Sequence, residues 1–122
     1  MKIKIQLFGG RGSSSFRTRI VRGYTTRIHF GRQQKHIEGS NNYINGRSKL
    51  TISQSKAQEL INKYAGNRNN KWQNANKEKI NFHENIGQYY NQTTGKWEDT
   101  TWGIIHYSKD GCHIVPASPN QY

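Results

Sequence analysis

Acidic side chains are scarce in this chain. Seven Asp and Glu stand against nineteen Lys and Arg in 122 residues, a formal net charge of +12 with the histidines neutral. The few carboxylates are scattered, and the adjacent Glu98 and Asp99 would face opposite ways on a strand. That argues against a glycosidase carboxylate pair and against a carboxylate-held catalytic metal. Cys112 is the single cysteine, so an internal disulfide and a cysteine-rich zinc site are excluded. No apolar run approaches the ~18 residues of a membrane span. The apolar core of the opening "MKIKIQLFGG" is shorter than the ~7 to 15 residues of a secretory signal, so no membrane partner and a cytoplasmic location are expected. No Gly-x-Ser-x-Gly elbow, Walker loop or internal repeat is found.

What is present is base, and it is unevenly placed. Lys2, Lys4, Arg11, Arg17, Arg19, Arg22, Arg27, Arg32 and Lys35 all precede the first acid, Glu38. The remaining ten bases face seven acids. Such a front segment attracts polyanions, nucleic acid first, or is simply a solvated basic arm. Only 31% of residues are hydrophobic and the mean hydropathy is -1.05. One domain with a small core follows, with tail or loop around it.

Along the chain, "KIKIQLF" alternates like a short strand, "GGRGSSS" reads as a linker, and "FRTRIVRGYTTRIHF" mixes base with apolar residues, so residues 1–34 form a basic segment that is strand-like or disordered. "QKHIEGSNNYINGRSKLT" is a polar loop suited to presenting side chains. In "SQSKAQELINKYAG", Ala57, Leu60, Ile61, Tyr64 and Ala65 recur at helical spacing, Ser55 with Gln58 fits a capping box, and Gly66 fits a left-handed stop. "NRNNKWQNANKEK" reads as a surface loop. Strands are expected in "KINFHEN", "IGQYY", "KWEDTTWGIIHYS" and "CHIVPA", with "NQTTG" and "SKDG" as hairpin turns. The fold class is α+β: one principal helix followed by an antiparallel meander of three or four strands, one face covered by the helix and the other free for a site.

The last hairpin, "HYSKDGCHIVP", carries two histidines and a tyrosine. A type I turn with a glycine bulge pairs Ser108 with Cys112 and sets Tyr107 opposite His113; without the bulge, Tyr107 pairs with Cys112 and His106 faces His113. The bulged register is preferred, because Gly111 tolerates a positive φ. Either register puts His113 beside a second polar ring at cross-strand distance. His29 and His83 read as structural.

With metal, serine and carboxylate chemistry set aside, imidazole, guanidinium, ammonium and hydroxyl groups on a basic surface remain. Those suffice to cleave RNA without a metal or other cofactor. A base takes the 2′-hydroxyl proton, an acid protonates the departing 5′-oxygen, and cations hold the phosphate charge, leaving a 2′,3′-cyclic phosphate. His36 and His113 are candidates for proton transfer, Lys35 and Arg47 for phosphate, and Ser48, Thr51 and Tyr107 for orienting oxygens. His106, Asn42 and Tyr43 are further substrate-binding candidates. Two other readings stand beside this one: a non-catalytic nucleic-acid-binding or virion-associated module, with Trp72, Trp97, Trp102 and Tyr89 as stacking platforms, and an inhibitor acting through a sheet edge.

"QKHIEGSNNYINGRSKLT", "AQELINKYAG" and "GIIHYSKDGCHIVPASP" resemble, in order and spacing, the bacterial polymorphic toxin domain of type fifty. The resemblance covers residues 34 to 119, so residues 35–122 are expected to be the toxin domain. It implies the fold shared by barnase, EndoU enzymes, RNA-cleaving colicins and RelE, and a metal-independent ribonuclease activity. The family's "KHIxG(S/T)NNY" falls on Lys35 to Tyr43, "GRS" on Gly46 to Ser48, and "IHYSKxGxHIVPA" on Ile105 to Ala117. This chain has Glu38 where the family usually has proline and Ser118 where it has arginine; Glu38 puts an acid beside His36. "MKIKIQLFGGRGSSS" resembles the openings of small phage and prophage proteins. A basic toxin of this kind implies RNA as substrate and an acidic immunity partner.

Overall fold

The structure is a computed structural model that describes residues 18–119. The strand expected in "KIKIQLF", the linker "GGRGSSS" and the phage-like opening lie outside those residues. The order is β1 (Ile20–Val21), β2 (Tyr24–Thr25), α1 (Phe30–Gln34), β3 (Lys49–Leu50), α2 (Gln54–Tyr64), β4 (Lys71–Asn74), β5 (Lys77–Asn81), β6 (Gly87–Asn91), β7 (Lys96–Thr100), β8 (Trp102–Ser108) and β9 (Gly111–Pro116). The class is α+β, with more strand than helix. No helix among the described residues is long and apolar enough to cross a membrane.

Strand pairing departs from a single meander. A four-stranded antiparallel sheet runs β9-β8-β5-β4, while β3-β6-β7 form a second sheet and β1-β2 a small hairpin. "KWEDTTWGIIHYS" therefore breaks at Thr101 and passes from one sheet to the other. There the Thr100 hydroxyl accepts from the Trp102 N–H, so a side chain takes a donor the ladder leaves behind. The asparagine-rich stretch expected as a loop contains β4 and the start of β5. β4 is an edge strand whose Lys71, Gln73 and Asn74 are exposed, so it needs little apolar alternation.

The longer helix falls where its periodicity predicts, with Ala57, Leu60 and Ile61 buried. Its cap is Ser53, whose side chain accepts from the Lys56 N–H, so the capping box expected at Ser55 and Gln58 does not form. Gln58 instead accepts from the Ile28 N–H at 2.9 Å and donates to the Thr26 carbonyl at 2.7 Å. Gly66 ends the helix with φ +80°. The helix is not alone, because the five-residue α1 also forms, capped by the His29 ring, which accepts from the Arg32 N–H.

The folded unit begins before the boundary expected at residue 34. Val21 and Ile28 join the core with Ile61, Ile80, Phe82, Ile86, Ile105 and Ile114. Ile28 makes an isolated parallel bridge with Cys112, in which the His29 N–H donates to the Cys112 carbonyl and the Cys112 N–H to the Arg27 carbonyl. Gln33 completes the contact, donating to the Ile114 carbonyl at 2.9 Å and accepting from the Ile114 N–H at 2.8 Å. A buried amide side chain thus stands in for a strand partner on β9.

Candidate active site

The final hairpin decides which rings meet. β9 pairs Gly111 with Ser108, Cys112 with Tyr107 and His113 with His106. The bulged register is therefore not adopted. Lys109 and Asp110 alone make the turn, which the Ser108 hydroxyl braces by accepting from the Asp110 N–H and donating to the Gly111 carbonyl. Glycine at 111 serves a different need as well. Its φ is +139°, and a Cβ there would lie 2.9 Å from the Arg27 carbonyl oxygen and 3.0 Å from the His29 Cβ. The glycine lets the segment before α1 lie against the hairpin.

This register sends Tyr107 to the face opposite His113. It is 1% exposed, donates to Glu78 Oε1 at 2.7 Å, and stacks between Tyr24 and Trp72 at 5.6 and 5.5 Å. Burial and the Glu78 carboxylate push its phenol pKa strongly upward. Tyr107 is a core residue, with its hydroxyl engaged by Glu78 and turned away from the face that carries His113.

On the other face the histidines form a row. The His106 and His113 rings are 5.0 Å apart, and His113 stacks on His36 at 5.7 Å with 23° between planes. Helix α1 brings His36 there: Gln33 is fixed to Ile114, so the chain three residues on arrives beside His113. The Leu50 N–H donates to the His36 carbonyl at 2.7 Å. His36 is 3% exposed. Its Nδ1 lies 3.0 Å from the Ser48 carbonyl oxygen, which only accepts, so Nδ1 carries the proton and Nε2 the lone pair. His113 is different, since its buried Nδ1 has no hydrogen-bond partner among the described residues.

All three rings are pushed toward the neutral form. Burial is the main cause throughout. His113 falls to about 3, helped by His106, His36, Arg32 and Lys35. His106 falls to about 4, helped by Lys77, His36 and Arg47. For His36, the bond to Ser48 opposes burial while Arg47 and Lys35 reinforce it. Glu38 is not among the groups that act on His36, and its carboxylate pairs with Lys49 at 3.1 Å. The row is thus rimmed by Arg32, Lys35, Arg47 and Lys77, and the nearby Asp110 pairs with Arg32, at 3.8 Å. Among the described residues no group of three His, Cys, Asp or Glu is placed to hold a metal ion. Stacked imidazoles direct their lone pairs into separate planes, not toward a common point.

The remaining candidates divide. Ser48 supports His36 through its carbonyl, with its hydroxyl 3.4 Å from Nδ1. Arg47 and Lys35 are exposed on the rim. Tyr43 donates to the Arg47 carbonyl at 3.0 Å and Asn42 to the Gln34 side chain at 2.7 Å, so both shape the loop and neither touches the rings. Thr51 is exposed, and its N–H donates to the Ile86 carbonyl. Arg32, in sequence only one of the bases of the front segment, and Lys77 join the rim without being candidates there. Lys77 becomes visible once β5 is paired with β8, which puts it across from His106.

The family model for bacterial toxin 50 matches residues 28–116. The chain belongs to that family. Its matched span opens at the bridge from Ile28 to Cys112 and closes at the end of β9, so this toxin domain includes every histidine of the row and the whole rim. No curated protein matches the chain.

Proposed function

We propose that this toxin-50 domain is a metal-independent endoribonuclease that cleaves RNA by attack of a 2′-hydroxyl on the adjacent phosphate. The carrying observation is the row of three imidazoles, His106, His113 and His36, rimmed by four cations, with Asp110 and Glu38 each paired with a base. A neutral ring can accept the 2′-hydroxyl proton directly. An arriving phosphodiester adds the negative charge the site lacks, which raises the proton affinity of the ring beside it and lets that ring protonate the departing 5′-oxygen. Arg32, Lys35, Arg47 and Lys77 oppose the charge that grows on the phosphate.

Burial favours one division of the parts. His106 and His113 are partly exposed and take the proton-transfer roles. His36 lies behind, held by Ser48, and positions His113. This changes the pairing expected from sequence, in which His36 met substrate. An acidic immunity protein would silence the domain by covering the cationic rim.

The test is cleavage of labelled single-stranded RNA in excess EDTA, with the product ends identified. Products ending in 2′,3′-cyclic phosphate are expected. Cleavage that requires a divalent ion, or binding without cleavage, would favour a metal enzyme or a binding module instead.

A further inference from the structure

The histidine face continues past the row. Strand alternation puts Lys77, Lys79 and Asn81 of β5 and His106, Ile104 and Trp102 of β8 on one side of the four-stranded sheet, with Lys79 across from Ile104 and Asn81 across from Trp102. At the far end, where this face meets the side covered by α2, lies a cavity of about 560 Å³, within the range that holds small ligands. Its walls include Tyr64, Asn70, Lys71, Lys79, Asn81 and Trp102.

Those walls supply what a nucleobase needs. Trp102 is a partly exposed ring, with Lys79 Nζ 5.7 Å from its centroid. Asn81 Oδ1 already accepts from Thr101 and from the His83 N–H, which leaves its amide nitrogen to donate. Asn70 Nδ2 already donates to the Tyr64 carbonyl and to Glu78, which leaves its oxygen to accept. A stacking surface, one donor, one acceptor and an exposed Lys71 for phosphate therefore border one cavity. Trp102 is four residues from His106 along β8, roughly 13 Å. That spans about four nucleotides at the 3.4 Å spacing of a stacked strand, and fewer when the bases are splayed.

We propose that this cavity is a subsite for a base of single-stranded RNA flanking the bond cut at the histidine row. The inference rests on the ribonuclease reading, but binding tests it separately. The probes are 2′-O-methyl RNA oligonucleotides, which lack the attacking hydroxyl, with affinity measured at fixed salt as the chain is lengthened from about two to about six nucleotides. The wild type gains roughly 5- to 100-fold at one added nucleotide, in excess of the smooth rise from added charge. Trp102→Ala loses that step, Trp102→Phe keeps most of it, and Trp97→Ala in the other sheet keeps it.

A wild type without a step, or a step that survives in Trp102→Ala, overturns the subsite. The wild-type measurement depends on no variant folding. RNA cleavage without the step removes the subsite alone, whereas the step without cleavage leaves a base-binding cavity and removes the ribonuclease.

Discussion

Lys77 and Glu78 are neighbours on β5, and His106 and Tyr107 on β8, yet the two faces of the sheet treat their polar groups in opposite ways. On the covered face Glu78 is fully buried and fully engaged: Oε1 accepts from Tyr107, and Oε2 from the Gly66 N–H and Asn70, each within 2.8 Å. On the open face the His113 Nδ1 is buried without a partner among the described residues, and every charge that acts on the ring is positive or potentially so. A satisfied buried network fixes structure. A buried polar atom left without a partner costs stability, and its retention is explained when a ligand completes it. The comparison thus separates the residues that hold this domain together from those held ready for a ligand.

The largest expected effect comes from breaking the open face. His113→Ala removes a proton-transfer group and is expected to lower RNA cleavage by roughly 10²- to 10⁴-fold. The urea midpoint should move less than in Glu78→Ala, since the lost ring gives up its ring contacts with His36 and His106 but no hydrogen bond through its buried nitrogen. Near-normal cleavage by a folded His113→Ala protein would remove the open face from catalysis.

The covered face should respond in the reverse sense. Glu78→Ala leaves the Tyr107 hydroxyl, the Gly66 N–H and one Asn70 donor without their acceptor, and is expected to cost about 3 kcal/mol or more in urea unfolding. Tyr107→Phe removes one donor and leaves Glu78 the other two, so about 1 kcal/mol is expected, with cleavage retained per folded molecule. A large loss of activity in Tyr107→Phe at unchanged stability would return that tyrosine to the site.

How far the chain could be read in advance follows the same division. Helix α2 was legible because Ala57, Leu60 and Ile61 are buried at the spacing of an amphipathic helix, and Gly66 sits at its left-handed stop. Alternation along "GIIHYS" and "CHIVP" put His113 beside either Tyr107 or His106, and the choice between those registers needed the segment Arg27–His29. Its backbone approach is what Gly111 accommodates, and no local signal reports a contact so distant in sequence. Helix α1 is too short to show periodicity, and its anchor, Gln33, reads as an ordinary polar residue until it is found bonded to β9. The hairpin of β4 and β5 was missed because an exposed edge tolerates Lys, Gln and Asn. Recognising the resemblance to the toxin domain located the loop and the hairpin, while the order of rings within the site depended on packing.

The smallest effect is on acid stability, and it sharpens the comparison because Tyr107 does not titrate in this range. An unfolded histidine titrates near 6.5, whereas His113 in the fold titrates at about 3 and His106 at about 4. Between those values the unfolded chain binds more protons than the folded one, so stability falls as pH drops below about 6.5 and is unaffected by these rings above it. Replacing His113 by Gln removes one such group. Relative to wild type, His113→Gln should gain up to about 1 kcal/mol on going from pH 7.5 to 5.5, an upper value given partial solvent screening. Added inorganic phosphate should narrow the gap at pH 5.5, because an anion beside the row lets the wild-type ring accept its proton within the fold. The check is urea unfolding of both proteins at the two pH values, with and without phosphate. A gap that phosphate leaves unchanged would mean that the open face does not gather phosphate charge.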